Sequence, residues 1–204
     1  RRTYDVYERI GELGIDLGSF EENVTSLKGR NICSAVIHEG GLVYLSGVGQ
    51  GDFPMNDTPE RVAHGQQAGQ DCADYHIRAL HWTLSCGGEG DLNDVLYMVK
   101  AIGMVVSTDV EFNSGPAVTN GFSNRWQSIF GGGTGSYAQD GIDPGGYSGV
   151  HARSAIGGFT GRFSLEPEMI VAIPAEMARA IIANRGWIFP LIPSVREKIV
   201  AARS

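Results

Sequence analysis

The chain has 204 residues, 42% of them hydrophobic and 19% charged, which suits one globular domain with an appendage or two small domains. A net charge of −7 without any run of basic residues argues against nucleic acid as a partner. The three cysteines, Cys33, Cys72 and Cys86, are odd in number and include no CxxC pair, so a chain without a disulfide framework in a reducing, cytoplasmic setting is expected. No apolar stretch reaches the ~18–20 residues of a membrane-spanning helix, and Arg1-Arg2-Thr3-Tyr4 has no apolar signal core.

Residues 4–13 read as a short amphipathic helix, with Val6, Ile10 and Leu13 on one face and Gly14 placed to end it. Residues 18–30 carry no period and read as an irregular connection. Two strands follow, at 33–38 and 42–47, joined by the hairpin signal Gly40-Gly41. Residues 49–60 are turn-rich. Ala68, Cys72, Tyr75, Ala79, Trp82 and Cys86 recur at helical spacing, which predicts a helix over 66–86 stopped by Gly87-Gly88. A strand over 95–106 is apolar on both faces apart from Lys100, as expected of a central strand. After a loop at 112–115, Thr119 or Asn120 is placed to cap a second helix running to about Phe130.

Residues 131–149 have no packing period and contain eight glycines and Pro144, the composition of a long loop or lid. Strands are expected at 153–160 and 169–173, then helices at 176–183 and 195–202. The element order is β-β-α-β-α-β-β with helical additions at both ends. The expected fold class is α+β: a mixed β-sheet with two helices on one face. The expected division is a domain over 1–176, with the Gly-rich insertion 131–149, and a C-terminal helical extension over 177–204.

Several chemistries lack their signatures. The five histidines form no HExxH or other compact metal pattern, so no metal site is expected. There is no Walker-type loop, no GxGxxG between a strand and a helix, and no GxSxG elbow. The most informative stretch is His151-Ala152-Arg153-Ser154-Ala155-Ile156-Gly157. An arginine entering a strand of this kind is costly unless an anion or a carboxylate meets it. His151, two residues before Arg153, falls on the same strand face. Ser46-Gly47 permits close approach at a strand end. Tyr137, Asp140, Asp143 and Tyr147 lie in the Gly-rich segment, from which they can reach a nearby cleft.

These pieces occur in a particular order: Tyr7-Glu8-Arg9-Ile10 with Leu13-Gly14-Ile15; Leu42-Val43-Tyr44 with Ser46-Gly47; Gly90-Asp91-Leu92-Asn93-Asp94-Val95; Phe112; Val118-Thr119-Asn120-Gly121 with Ser123; Phe130-Gly131; the Arg153 segment; and Glu168-Met169. In that order and spacing the chain, over roughly residues 7–174, resembles the reactive intermediate deaminases, also called Rid or YjgF-like proteins (L-PSP endoribonuclease type). The nearest resemblance is to their chorismate-mutase-like branch. It implies a fold like chorismate mutase from bacilli, a homotrimer, and three clefts between subunits. It implies that Arg153 holds the carboxylate of a small acid through a bidentate pair, and that backbone groups near Ser154 receive the reacting nitrogen. It also implies that a glutamate on the last strand orients the attacking water. Counting forward from Arg153 assigns this role to Glu168; counting backward from Ala172-Ile173 assigns Met169. The Glu-Met order favours Glu168.

The sequence departs from that pattern at Cys33, where many relatives carry an aromatic, in the length of the Gly-rich insertion, and in the last thirty residues. The implied activity is that of a catabolic hydrolase: an imine or enamine deaminase acting on a small carboxylate without a cofactor. Arg153 and Glu168 are the catalytic candidates. Ser46, Gly47, Asn120, His151, Ser154 and Tyr137 are the binding candidates. Two alternatives are a hydrolase, deaminase or lyase for a cyclic or aromatic-degradation intermediate gated by 131–149, and a non-enzymatic trimer that binds small acids. The expected partners are the substrate and further copies of the chain, with neither nucleic acid nor membrane.

Overall fold

A computed structural model describes residues 3–18, 35–47, 56–85, 90–107, 111–131, 150–156 and 164–185. In chain order the elements are α1 (Val6–Glu12), β1 (Ala35–His38), β2 (Leu42–Leu45), α2 (Pro59–Ser85), a 3-10 turn (Leu92–Asp94), β3 (Tyr97–Ser107), α3 (Gly115–Phe130), β4 (Val150–Ile156), β5 (Ser164–Ala172) and α4 (Ala175–Arg185). The five strands form one mixed sheet in the order β1-β2-β5-β3-β4. Every pairing is antiparallel except β3 with β4. A parallel pair needs a crossover, which α3 supplies. The last of the described strands, β5, inserts between β2 and β3, so a late segment completes the sheet that earlier ones began.

Hydrophobic alternation gives the sheet its covered face. Val43, Leu45, Met98, Ala101, Val105, Met169 and Val171 are buried in one core with Ile77, Leu80 and Leu84 of α2 and Val118, Phe122, Trp126 and Ile129 of α3. Burial of this kind stabilises by about 1.5–3 kcal/mol per large side chain. Strand β3 keeps the pattern by means of a bulge: its register shifts between Met98 and Lys100. The extra residue leaves Met98 opposite buried Val171 and moves Lys100 to the other face, opposite Ile170.

The observed elements correct four expected boundaries. Helix α2 begins at Pro59, seven residues before Gln66. The Thr58 carbonyl accepts its first bond from Val62 N–H, and Pro59 stands where no donor is needed. The apolar period alone misses this polar first turn. Helix α3 begins at Gly115 with Pro116 in its first turn, so Thr119 and Asn120 are interior residues and cap nothing. The Thr119 hydroxyl instead donates back to the carbonyls of Gly115 and Pro116. Strand β4 starts at Val150 and β5 at Ser164, both upstream of expectation.

Pro167 and two glutamates hide the first half of β5. A proline is tolerated in this middle strand because β2 ends opposite Met169. Among the described residues, the β2 side therefore needs no amide at Pro167.

Helix α1 is capped by Asp5, whose side chain accepts from Tyr7 N–H, and buries Val6 and Ile10. The β1–β2 hairpin turns through Gly41 at φ +89°, where a Cβ would fall on the Ile173 carbonyl oxygen. Helix α4 contributes Ala178 and Ile181 to the same core, and the junction expected after residue 176 falls within it. No helix of the described residues is long and apolar enough to cross a membrane. The irregular connection expected at 18–30 (apart from Gly18), residues 132–149 of the Gly-rich segment and the helix expected at 195–202 lie outside the described residues.

Candidate functional site

The strand registers sort the candidate residues. Buried Val43, Met169, Ala101 and Val105 mark the face under the helices. The alternate positions form the outer face, where Val36 is 47% and Tyr44 43% exposed, and where Lys100 is also exposed. Arg153 and His151 of β4 belong to this outer set, because Arg153 is registered opposite Met104 and His151 opposite Ile102. Across β3, Ile102 is also opposite Glu168, and Met104 is opposite Glu166. Two adjacent cross-strand rows result: Glu168–Ile102–His151 and Glu166–Met104–Arg153.

The register separates the two alternatives for the last strand. Met169 is 1% exposed and sits between Leu45 and Ala101 on the helix side. Glu168 takes the opposite face, the one shared with Arg153. Sequence counting did not single out Glu166, although it is the β5 residue that shares a row with Arg153. The signal was present as Glu166-Pro167-Glu168: two acids two residues apart fall on one face of a strand. The hydrophobic period that marks a strand begins only at Met169, so these two acids were not placed on one.

The other candidates have separate settings. Ser154 alternates with Arg153 and is registered opposite buried Val105, on the helix side. Ser46 and Gly47 follow β2 and are half-buried. His76 of α2 holds this strand end: its Nε2 lies 3.1 Å from the Ser46 carbonyl oxygen and its Nδ1 2.8 Å from that of Cys72. Both oxygens can only accept, so a neutral ring donates to one of them and a protonated ring to both. His76 is itself 1% exposed and stands edge-on to Phe122. Asn120 is exposed on α3, in the helix layer, and is not brought to the Arg153 row. Tyr137, Asp140, Asp143 and Tyr147 lie outside the described residues.

Among the described residues, the perturbed ionisable groups belong to the helix layer and its connections. Hydrogen bonds from Ser114 and Asn113 hold the Asp57 carboxyl below its ordinary range. Burial lowers the pKa of His81 and raises that of Tyr7, whose hydroxyl lies 2.9 Å from His81 Nδ1. Arg125 forms a two-pronged pair with Asp74, at 2.7 and 2.9 Å, which raises the guanidinium pKa. Each of these joins two segments of the helix layer. Among the described residues, no group of three or more His, Cys, Asp or Glu is placed to hold a metal ion.

The sequence matches no family model and no curated relative. Solved structures are similar to it. One is the protein Atu1372, of unknown function, from Agrobacterium tumefaciens: it is 25% identical, with a TM-score of 0.56 over 82% of this chain and 92% of that one. Another, from Shewanella oneidensis, is described as a candidate endoribonuclease. It is 15% identical, with a TM-score of 0.60 over 83% of this chain and all (100%) of that one. The chain shares its α+β fold with these structures.

Proposed function

We propose that the protein is a cofactor-independent hydrolase of the imine or enamine of a small carboxylic acid, working in the cytoplasm on a catabolic intermediate. The observation that carries this reading is the shared sheet face of Arg153, His151 and Glu168. An anion clamp, a proton carrier and a carboxylate base are what hydrolysis of such a compound requires. An imine carbon is already electrophilic, so water needs only orientation and a base.

In this reading Arg153 binds the substrate carboxylate through a two-pronged pair. Glu168 takes a proton from water as the water oxygen bonds to the imine carbon, and the imine nitrogen gains a proton. The tetrahedral carbinolamine then loses ammonia as its C–N bond breaks and a C=O bond forms. Backbone groups near Ser154 steady the nitrogen, and His151 relays protons. The outer face is completed by further copies of the chain, in a homotrimer whose clefts lie between subunits. The net charge of −7 gives a polyanionic RNA little to bind, which separates this reading from the description given to the Shewanella protein.

The test is ammonia release from iminopropanoate generated in situ by an amino-acid oxidase. The wild-type protein is expected to accelerate release. Arg153→Ala should lower kcat/KM by about 10–100-fold, the worth of a charged two-pronged hydrogen bond. Equal rates for the two proteins would refute the clamp.

A further inference from the structure

The outer face holds one acid more than the proposed reaction uses. Glu166 is the second carboxylate of β5, and the register sets it in the Arg153 row with Met104 between them. At the usual strand spacing the two positions are roughly 10 Å apart, against roughly 12 Å for Arg153 and Glu168. The β5 acid nearest Arg153 is therefore Glu166. A carboxylate in that row opposes a substrate whose only charge is its own carboxylate, since like charges at close range disfavour binding. A compound with a cation at its other end instead meets opposite charge at both ends of the row.

We propose that Glu166 is a specificity residue: it binds a cationic nitrogen at the far end of the substrate, so the acid taken carries both a carboxylate and a guanidinium or ammonium group. This rests on the reading of Arg153 as the carboxylate clamp. Glu166 needs no part in the bond-breaking steps. Its role is to choose between imino acids of like backbone and different side-chain charge. The competing account is a structural cross-strand pair between Glu166 and Arg153 on a solvated face. That account predicts altered stability and no change in preference.

The experiment compares three probes: the imines of arginine, of norleucine and of glutamate, generated in situ by an amino-acid oxidase. Their stable oxo-acid counterparts serve as binding probes by calorimetry. The wild-type protein is expected to favour the arginine-derived compound in kcat/KM and in affinity. Glu166→Gln should lower that preference by about tenfold or more, the size expected for one charge-assisted hydrogen bond. Its melting temperature is recorded alongside. Glu166→Lys should invert the preference towards the glutamate-derived imine and oxo acid. An unchanged preference in both variants would overturn the proposal, as would a wild-type protein that binds none of the oxo acids. Selective binding of the oxo acids without ammonia release from any of the imines would uphold Glu166 as a specificity residue and reject the hydrolytic reading.

Discussion

Glu168 and Met169 are neighbours in the chain and opposites in setting. Counting residues from Arg153 or from Ala172 assigns the last-strand role to one or the other, because a loop can absorb one residue. A strand cannot: each step along it reverses the face. Met169 fills the core against Leu45 and Ala101, which leaves Glu168 on the outer face. Asp57 shows the opposite limit of local reading. It accepts hydrogen bonds from the backbone of Asn113 and Ser114, more than fifty residues away, just before α3 begins. No pattern around 114 reveals a cap supplied from residue 57. These bonds lower the Asp57 pKa, so their stabilisation is present above the unfolded value near 4 and is lost as the pH falls through the lower folded value. Asp57→Ala is therefore expected to melt earlier than wild type at pH 7. Thermal melts across pH should show that difference narrowing below about pH 4; a constant gap would mean that the carboxylate charge plays no part.

At the scale of elements, helix and strand types were legible because hydrophobic period announces them, while their ends were not. Pro59, Pro116 and Pro167 all sit inside regular elements, each where its missing amide is not required. Two of them open helices, and the third lies beyond the end of a neighbouring strand. The glycines divide in a similar way. At Gly121, in the crossing of α3 over α2, an added Cβ would fall on the Gln66 carbonyl, so the helices touch backbone to backbone. The pair Asn120-Gly121 contributes to the family resemblance, and this close approach is the physical demand behind its glycine. Gly11, inside α1, has nothing within 4 Å of an added Cβ. Gly121→Ala is expected to cost about 2 kcal/mol or more through overpacking. Gly11→Ala should stabilise by about 0.5–1 kcal/mol through helix propensity. Denaturant unfolding of the two variants beside wild type gives both signs in one experiment. Equal effects would show that the helix crossing has room to relax.

For the whole molecule, the helix that spans the expected junction at residue 176 is packed into the core. Ala178 and Ile181 of α4 are fully buried with the sheet and α2, and Ile181 packs over Gly90. The helix itself was readable in advance, over 176–183. Which surface it covers depends on the hairpin at Gly41 and the exit of β5, both fixed by tertiary pairing. Ile181→Ala should destabilise by about 2–5 kcal/mol, as for any core isoleucine. Chemical denaturation checks this; a loss under 1 kcal/mol would make α4 an appendage.

Period and glycine placement by themselves determined an α+β chain, its element order and helices against one sheet face; Arg153 and Glu168 entered as candidate chemistry through the family resemblance of the ordered motifs. The elements are local properties, carried by side-chain spacing of two or of about 3.6 residues. Tertiary structure alone decided the strand order β1-β2-β5-β3-β4, the bulge that turns Lys100 outward, the hold of His76 on Ser46, and the row joining Arg153 to Glu166. Those depend on which distant segments pair and in what register. That choice is made by burying whole faces together, and no short window of sequence contains it.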